Sequence, residues 1–339
     1  MKPSLLKILR CPECRAVLAL RQESVVETGG EITDGVLKCS GCDAHYAIRD
    51  AIPRLASRSA VRPETERTSE RFGYLWGQSE PSTGSARSYH FEKMAAALSL
   101  EAPRGFVLDA GCGDGIDLAN HARRPGVEVI GVELSDGGCA TSAARVRRMP
   151  NAHVVQADLL RLPFASDTFD RVYSYGVLHH TVSPPAAAAE LARVVKPEEE
   201  IAIYLYEDFG ERAAGWRMSL AAVNVFRALT TRLHPETLFR LCRAASPVVY
   251  ATCTVPHRVF MQVPGLRRLG AGMPFRHGKS PFGLTGDLYD RFSAPIEFRY
   301  SRKSAGDLLQ RAGLALMKVS YDRGWMVRAR KSIGVAANG

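Results

Sequence analysis

A glycine-rich turn that directly follows a short apolar run constrains the fold of this 339-residue chain more than any other feature. The run is Phe106-Val-Leu-Asp109-Ala-Gly111-Cys-Gly113-Asp-Gly115. It predicts a buried strand that ends at Asp109, followed by a backbone that turns sharply and approaches a ligand without obstruction by side chains. Strands and helices alternate after this point, which is typical of a doubly wound, mostly parallel α/β sheet.

Acidic residues end the next two predicted strands. Glu133 lies twenty residues after Gly113, where a carboxylate can accept hydrogen bonds from both hydroxyls of a ribose, and Asp158 can accept from an adenine amine. The glycines alone are equally compatible with a dinucleotide. A pyrophosphate at the helix N-terminus would, however, be opposed by nearby acids. Asp109 and Asp114 instead favour a ligand that carries an ammonium and a sulfonium group.

Five ordered motifs between residue 104 and about residue 207 resemble those of class I S-adenosylmethionine-dependent methyltransferases. They are Asp-Ala-Gly-Cys-Gly-Asp-Gly, Val-Glu-Leu-Ser, Ala-Asp-Leu, Leu-Pro-Phe-Ala-Ser-Asp-Thr-Phe-Asp and Gly-Val-Leu-His-His-Thr. The nearest branch includes the ubiquinone and menaquinone C-methyltransferases. One departure is Lys196-Pro-Glu-Glu-Glu200, where this family usually has Lys-Pro-Gly-Gly.

The resemblance implies an S-adenosylmethionine site whose residues can be named. The methionine part of the cofactor would contact Asp109, Gly111 and Gly113. Its ribose would contact Glu133, and its adenine would contact Asp158 and Leu159. Tyr175, at the end of the fourth predicted strand, is assigned to the same site. The resemblance also implies a Rossmann-like sheet whose terminal hairpin adds an antiparallel strand, with a last helix over 304–312 and strands over 314–321 and 325–330.

Two Cys-x-x-Cys pairs near the start of the chain predict a metal site. Cys11, Cys14, Cys39 and Cys42 form the pairs, and 24 residues separate them. Such knuckles supply the tetrahedral sulfur set that structural zinc prefers. His45 could replace one thiolate, and redox-active thiols are a second alternative. The stretch from Met1 to Leu55 resembles the zinc-ribbon family that includes the activator subunit of eukaryotic tRNA and translation-factor methyltransferases, which implies a fold and a habitual partner.

The predicted domains are a zinc ribbon over 1–57, a linker with a lid helix over 58–103, and a methyltransferase domain over 104–331. A basic helical insertion over 208–303 interrupts that domain. The aromatic island 72–76 in the linker either packs on the next domain or covers the cofactor, since aromatic faces suit an adenine ring and a sulfonium cation. The insertion holds 15 basic and 6 acidic side chains, and we expect it to cover the acceptor site.

Catalysis needs a positioned acceptor and, for a hydroxyl, a base. His179 and His180, just after the fourth predicted strand, are the candidates for that base, although either could simply pack or cap a helix. Tyr289, Arg291, Arg267 and Arg268 are the predicted acceptor contacts.

The net charge of +10 concentrates in residues 208–339, which hold 21 basic and 8 acidic side chains. Such a field attracts phosphates, anionic lipids or nucleic acid. The first hypothesis is therefore a methyltransferase for an anionic small-molecule or lipid-linked acceptor, with contact to a membrane surface. An RNA base methyltransferase is the second, although an Asn/Asp-Pro-Pro-aromatic clamp does not follow strand four. A non-catalytic binder is the third. Neither a signal peptide nor a membrane-spanning segment is predicted, so we expect a cytoplasmic protein.

Overall fold

The computed structural model describes residues 1–21, 24–56, 62–78 and 89–333. Residues 58–61 and 79–88 of the predicted linker therefore lie outside the described part of the chain. The helices are α1 (Pro63–Gly77), α2 (Tyr89–Leu98), α3 (Ile116–Ala122), α4 (Asp136–Val146), α5 (Pro184–Val194), α6 (Ala214–Thr230), α7 (Pro235–Val249), α8 (Val255–Gln262), α9 (Arg267–Gly272), α10 (Thr285–Ser293) and α11 (Arg302–Arg311). The strands are β1 (Leu18–Leu20), β2 (Val26–Thr28), β3 (Glu31–Cys39), β4 (His45–Arg49), β5 (Ile52–Pro53), β6 (Gly105–Ala110), β7 (Val127–Glu133), β8 (Ala152–Gln156), β9 (Phe169–Tyr175), β10 (Val195–Leu205), β11 (Leu314–Tyr321) and β12 (Trp325–Lys331).

Seven strands form the large sheet, in the order β11-β12-β10-β9-β6-β7-β8. The five strands from β8 to β10 are parallel, and β12 is antiparallel to both β10 and β11. Most residues of the four parallel strands β6 to β9 are buried, as in strands that are covered on both faces. The predicted α/β fold with an antiparallel strand near one edge is confirmed.

A small antiparallel sheet, β1 to β5, forms the N-terminal ribbon. Strands β2 and β3 make a hairpin whose turn contains Gly29 and Gly30, both at positive φ. This hairpin accommodates the 24 residues between the two cysteine pairs. The predicted ribbon fold is therefore present.

The ribbon packs directly on the edge of the large sheet next to β8. The Leu55 amide donates to the Gln156 carbonyl at 2.7 Å, and the Arg10 amide donates to the Pro163 carbonyl at 2.8 Å. Leu9 is fully buried and shares one hydrophobic core with Phe164. Because one core runs through both parts, the stability of the ribbon and that of the large sheet are linked.

Helix α1 crosses α4 with the two backbones in contact. A Cβ atom at Gly137 of α4 would lie 2.1 Å from the carbonyl oxygen of Gly73 in α1, so only glycine permits this approach. The Thr141 hydroxyl donates to the Trp76 carbonyl at 3.1 Å. These contacts hold α1 at the carboxyl end of the sheet, beside the loops where ligands of such folds bind.

Helices α6 to α10 lie within the predicted insertion, between β10 and α11. They reach the rest of the molecule mainly through α10, whose Leu288 and Tyr289 share a small hydrophobic core with Leu75 of α1. Within the described residues, no helix is both long enough and apolar enough to cross a bilayer.

Candidate cofactor site

A cleft opens at the carboxyl ends of the parallel strands β7, β8 and β9. It encloses about 750 Å³ of empty space, part of which is continuous with solvent. Loops after the strands form one wall, and α1 forms the other. The residues that line it are Thr65, Thr68, Ser69, Phe72, Trp76, Gly111, Glu133, Leu134, Asp158, Leu159, Leu160, Tyr175, Gly176, Val177, His180, Thr181 and Val182.

The glycine turn after β6 has the geometry that the sequence predicts. Gly111 has a φ of +94°, and a Cβ atom there would lie 2.3 Å from Cγ2 of Val177. A side chain at this position would be strained and would also displace the loop after β9. Gly113 does not line the cleft but faces Trp76. Glycine at position 111 therefore lets the backbone form the floor of the cleft.

Two carboxylates face the cleft from the ends of neighbouring strands. Glu133 accepts hydrogen bonds from the Ser135 amide at 2.8 Å, the Ser135 hydroxyl at 2.6 Å and the Gly113 amide at 3.2 Å. Asp158 accepts from the Leu160 amide at 2.9 Å. Burial raises the pKa of both carboxyl groups, and the hydrogen bonds partly offset this. Both groups are therefore held in fixed orientations beside Leu159.

Asp109 lies behind the glycine turn and is 3% exposed. Its carboxyl group interacts with the hydroxyl of Tyr173, which is buried with it. Burial raises the pKa of this carboxyl group well above its usual value, the nearby carboxylate of Asp117 adds to the effect, and the Tyr173 hydroxyl partly offsets it. A buried carboxyl group beside the cleft fits a ligand that brings a donor or a positive charge.

The charged residues that line the cleft are acidic. Among its lining residues within the described chain, none is lysine or arginine, whereas two are acidic. Asp109 and Asp114, in and beside the glycine turn, would oppose a pyrophosphate at the N-terminus of α3. A ligand with a sulfonium and an ammonium group fits the same surroundings. The acidic character of this region therefore favours such a ligand over a dinucleotide.

Aromatic rings flank the cleft on both sides. Tyr175 stacks between His90, with centroids 4.3 Å apart, and Tyr204, with centroids 4.4 Å apart. On the other wall, the rings of Phe72 and Trp76 are nearly parallel, with an interplanar angle of 16°. These faces can pack against an adenine ring or a sulfonium group. The aromatic island thus contacts both its neighbours and the cleft, and its role as a lid stays a prediction.

Sequence analysis missed the polar residues that α1 contributes to the cleft. Thr65, Thr68 and Ser69 precede Phe72 and Trp76 on the same side of α1. All five positions follow the spacing i, i+3, i+4, i+7 and i+11, which is one face of a helix. This helical periodicity can be recognised in the sequence itself.

The structure separates the two histidines that were predicted as bases. His180 lines the cleft, and its Nδ1 atom is 2.6 Å from the Ile296 carbonyl oxygen, so Nδ1 carries the proton. Its Nε2 atom is buried and has no hydrogen-bond partner among the described residues, and burial lowers the pKa of the ring to about 4. His179 is fully buried beside Tyr206 and does not line the cleft. Only His180 is placed to meet a ligand.

The four predicted acceptor contacts do not line this cleft. Tyr289 is fully buried against Tyr74 and Phe239, and Arg291 bonds to Asp287 at 3.3 Å and lies over Phe275. The other two, Arg267 and Arg268, are exposed at the start of α9. Contact of these side chains with an acceptor stays a prediction.

The four paired cysteines come together at one end of the ribbon. One Sγ atom from each of Cys11, Cys14, Cys39 and Cys42 lies within 4.8 Å of the others, as four ligands of one metal ion must. The Tyr46 hydroxyl is 3.2 Å from the Cys11 sulfur and can donate to a thiolate there. His45 is exposed, and its Nδ1 atom bonds to the Asp43 carbonyl, outside this group. An all-sulfur set of four fits zinc.

Two family models match separate parts of the chain. Residues 108–203 match a methyltransferase domain, and residues 2–50 match a Trm112p-like protein. These matches confirm the predicted methyltransferase domain, with its S-adenosylmethionine-binding fold, and the predicted N-terminal zinc ribbon. The first match covers the glycine turn and the ends of β7 to β9, where the cleft lies.

Several known proteins resemble parts of the chain. Methyltransferase GfsG of Streptomyces halstedii is 35% identical over 37% of this chain and 45% of its own length. Trans-aconitate 2-methyltransferase of Deinococcus radiodurans is 31% identical over 45% of this chain and 56% of its own length. A complex of the Haloferax volcanii Trm112 methyltransferase activator with a methyltransferase aligns over 77% of this chain and 98% of the solved chain, with 13% identity and a TM-score of 0.45. The chain spans between 33% and 59% of the length of the curated relatives that it matches.

Proposed function

We propose that the chain is an S-adenosylmethionine-dependent methyltransferase that acts on a small-molecule or lipid-linked acceptor. The observation that carries this proposal is a cleft at the carboxyl ends of the parallel strands whose described lining includes two acidic residues and no basic ones. Such a cleft favours a cationic cofactor over a phosphorylated one. The match of residues 108–203 to a methyltransferase domain supports the same conclusion independently.

Different residues of the cleft would contact different parts of the cofactor. Glu133 would hold the ribose, Asp158 and Leu159 the adenine, and the glycine turn with Asp109 the methionine part; Tyr175 would pack beside it. The bound cofactor supplies an electrophilic methyl group on a sulfonium. The chain itself orients the reactants and excludes water, for which Phe72 and Trp76 on α1 are well placed.

The acceptor would enter along the wall after β9. Val177 and Val182 make this wall largely apolar, and Thr181 adds a hydroxyl. Such a wall suits a small, partly apolar compound better than a stacked nucleobase. Trans-aconitate 2-methyltransferase, a relative named for a small-molecule acceptor, supports this choice. The charge of the acceptor is a separate proposal, which rests on the basic field of the C-terminal third.

His180 would act as the base where the acceptor must lose a proton. Its Nδ1 proton is committed to the Ile296 carbonyl, so Nε2 holds the lone pair. Burial lowers the pKa of the ring to about 4, so the ring is neutral at neutral pH, although it is a weaker base than an ordinary imidazole. His179 would instead support the orientation of its neighbour, with ring centroids 4.3 Å apart.

We expect His180→Gln to lower the methyl-transfer rate about 100-fold, the usual contribution of a general base. Affinity for S-adenosylmethionine should not change, because the cofactor residues lie elsewhere in the cleft. The rate can be followed as S-adenosylhomocysteine formed with a metabolite extract as the acceptor source. His179→Gln is the matched control and should cost far less. An unchanged rate in His180→Gln would show that no base is needed at this position.

Calorimetry tests the proposed function as a whole. The protein should bind S-adenosylmethionine and S-adenosylhomocysteine, and it should not bind NAD, because Asp109 and Asp114 at the glycine turn would oppose a pyrophosphate. Tight NAD binding without S-adenosylmethionine binding would contradict the proposal. Nuclease treatment of the acceptor extract then separates acceptor classes. Turnover that survives the treatment supports a small molecule, and turnover that disappears would assign the activity to RNA.

A further inference from the structure

One corner of the helical insertion combines aliphatic and basic side chains on an exposed surface. The α8–α9 corner comprises residues 255–272, in which α8 and α9 are joined by a short helical turn. The ring of His257 bonds through Nδ1 to the Gly270 carbonyl at 2.8 Å. A Cβ atom at Gly270 would lie 3.0 Å from Cβ of Phe260, so the two helices approach closely. The corner is therefore a fixed structure.

Aliphatic side chains of this corner face solvent. The exposed fractions are 51% for Val259, 40% for Met261, 42% for Val263 and 63% for Leu269. Single exposed apolar residues are common on soluble proteins, but several within a short turn indicate an interaction site. The exposed residues lie on both sides of the turn between the helices.

The same corner carries cations without local compensation. Arg267 and Arg268 are exposed and form no ion pair or hydrogen bond with any part of the chain that the structure describes. Residues 237–286 contain seven lysine or arginine residues and no acidic residue. The positive potential around the corner is therefore not neutralised by carboxylates of its own segment.

We propose that the α8–α9 corner docks on the surface of an anionic lipid bilayer. Aliphatic side chains at the tip can enter the boundary between headgroups and acyl chains, while the two arginines beside them meet lipid phosphates and carboxylates. Neither group suffices alone, since a few aliphatic residues bind weakly and charges alone are screened by salt. The corner presents both. This docking does not depend on the proposed methyl-transfer activity.

Two other occupants fit the corner less well. Nucleic acid would meet the arginines but would leave the exposed aliphatic side chains against a polar, charged surface, and Phe260, which could stack on a base, is half-buried. A second copy of the chain would place two basic, acid-free surfaces against each other, and like charges disfavour such a contact. The combination of aliphatic and cationic groups therefore favours lipid.

Cosedimentation of the full chain with vesicles tests the proposal. The vesicles contain phosphatidylglycerol and phosphatidylcholine in equal parts. We expect binding to these vesicles, weak binding to pure phosphatidylcholine, and release by salt. Reversing both charges, as Arg267→Glu with Arg268→Glu, should lower the partition coefficient at least about 30-fold, since each basic group near an anionic surface contributes about fivefold. Arg147→Glu with Arg148→Glu is the matched control, because this pair is also adjacent and exposed but follows α4. It should leave binding nearly unchanged.

A second variant tests the aliphatic contribution. Val263→Ser with Leu269→Ser alters only exposed side chains, so the fold should persist, which thermal unfolding can verify. This variant should lose most of the binding that remains at moderate salt. Equal losses in the 267/268 and 147/148 variants would overturn the proposal, because they would indicate attraction by net charge alone. Binding to structured RNA without binding to vesicles would also overturn it, as would self-association that the 267/268 variant abolishes.

Discussion

Replacing Glu133 by glutamine is expected to weaken the binding of S-adenosylmethionine about 100-fold, because two charge-assisted hydrogen bonds to a ribose become neutral ones. The carboxylate is oriented in advance by the Ser135 amide and hydroxyl and by the Gly113 amide. A glutamine has one acceptor oxygen, and its amide nitrogen would face groups that donate. The substitution therefore weakens both the contacts with the ligand and the hydrogen bonds that order the loop around residue 133.

Calorimetry on the Glu133 and Glu128 variants separates these two effects. Glu128 lies on the same strand, but it pairs with His153 at 2.9 Å and does not line the cleft. Glu128→Gln should therefore bind S-adenosylmethionine as the unaltered protein does. Thermal unfolding without ligand measures any damage to the glycine turn. Full affinity in a folded Glu133→Gln variant would remove Glu133 from the cofactor site.

Acidification should reproduce part of this effect in the unaltered protein. Burial raises the pKa of the Glu133 carboxyl above the ordinary value of 4.5. The group therefore takes up a proton at a higher pH than a free glutamate does, and a protonated carboxyl cannot accept both ribose hydroxyls. Affinity should fall with decreasing pH before an ordinary glutamate would titrate. The glutamine variant should lack this part of the pH dependence.

The sequence predicts the sheet well because its signals are local. Buried parallel strands are continuous apolar runs, and the turn after β6 requires glycine, so both features can be recognised from neighbouring residues. The terminal hairpin is predicted at 314–321 and 325–330, and β11 and β12 occupy nearly the same residues. Within β10, where the pairing with β9 shifts register between Val195 and Glu200, Glu198 adopts a φ of +66° at a position where the related family has glycine. Propensity alone would not place a glutamate there.

The acceptor residues were harder to predict because their positions depend on distant contacts. Tyr289 is a residue type that often contacts ligands, yet packing of α10 against α7 and α1 buries it in a hydrophobic core. Arg267 and Arg268 were expected over the cleft, and the path of α8 and α9 instead places them on an exposed corner. Neither outcome follows from charge or periodicity. The histidines differ in the same way, since only tertiary structure turns His180 toward the cleft and His179 away from it.

Removal of zinc is expected to destabilise more than the ribbon. In isolated zinc fingers the metal contributes about 10–16 kcal/mol of apparent binding free energy, which is also folding free energy. Here the ribbon shares a hydrophobic core with the large sheet, and this core includes both Leu9 and Phe164. In addition, the Leu55 amide donates a hydrogen bond to the Gln156 carbonyl. When the ribbon unfolds, these surfaces become exposed, and the sheet loses the cover of its β8 edge. A chelator should therefore lower the melting temperature of the whole protein, by on the order of 10 °C for a loss of several kcal/mol.

Single cysteine variants assign this effect to the metal. Cys14 is exposed, so Cys14→Ser removes one zinc ligand with little change in packing. Cys253 lies outside the metal group, and Cys253→Ser is the matched control. Elemental analysis should find about one zinc per chain in the unaltered protein and the control, and much less in the Cys14 variant. The melting temperature should fall with the zinc content, because both report on the same tetrahedral site. A zinc content no higher than background in freshly purified, unchelated protein would refute the site. Zinc loss without a change in melting temperature would show that the ribbon and the large sheet unfold independently.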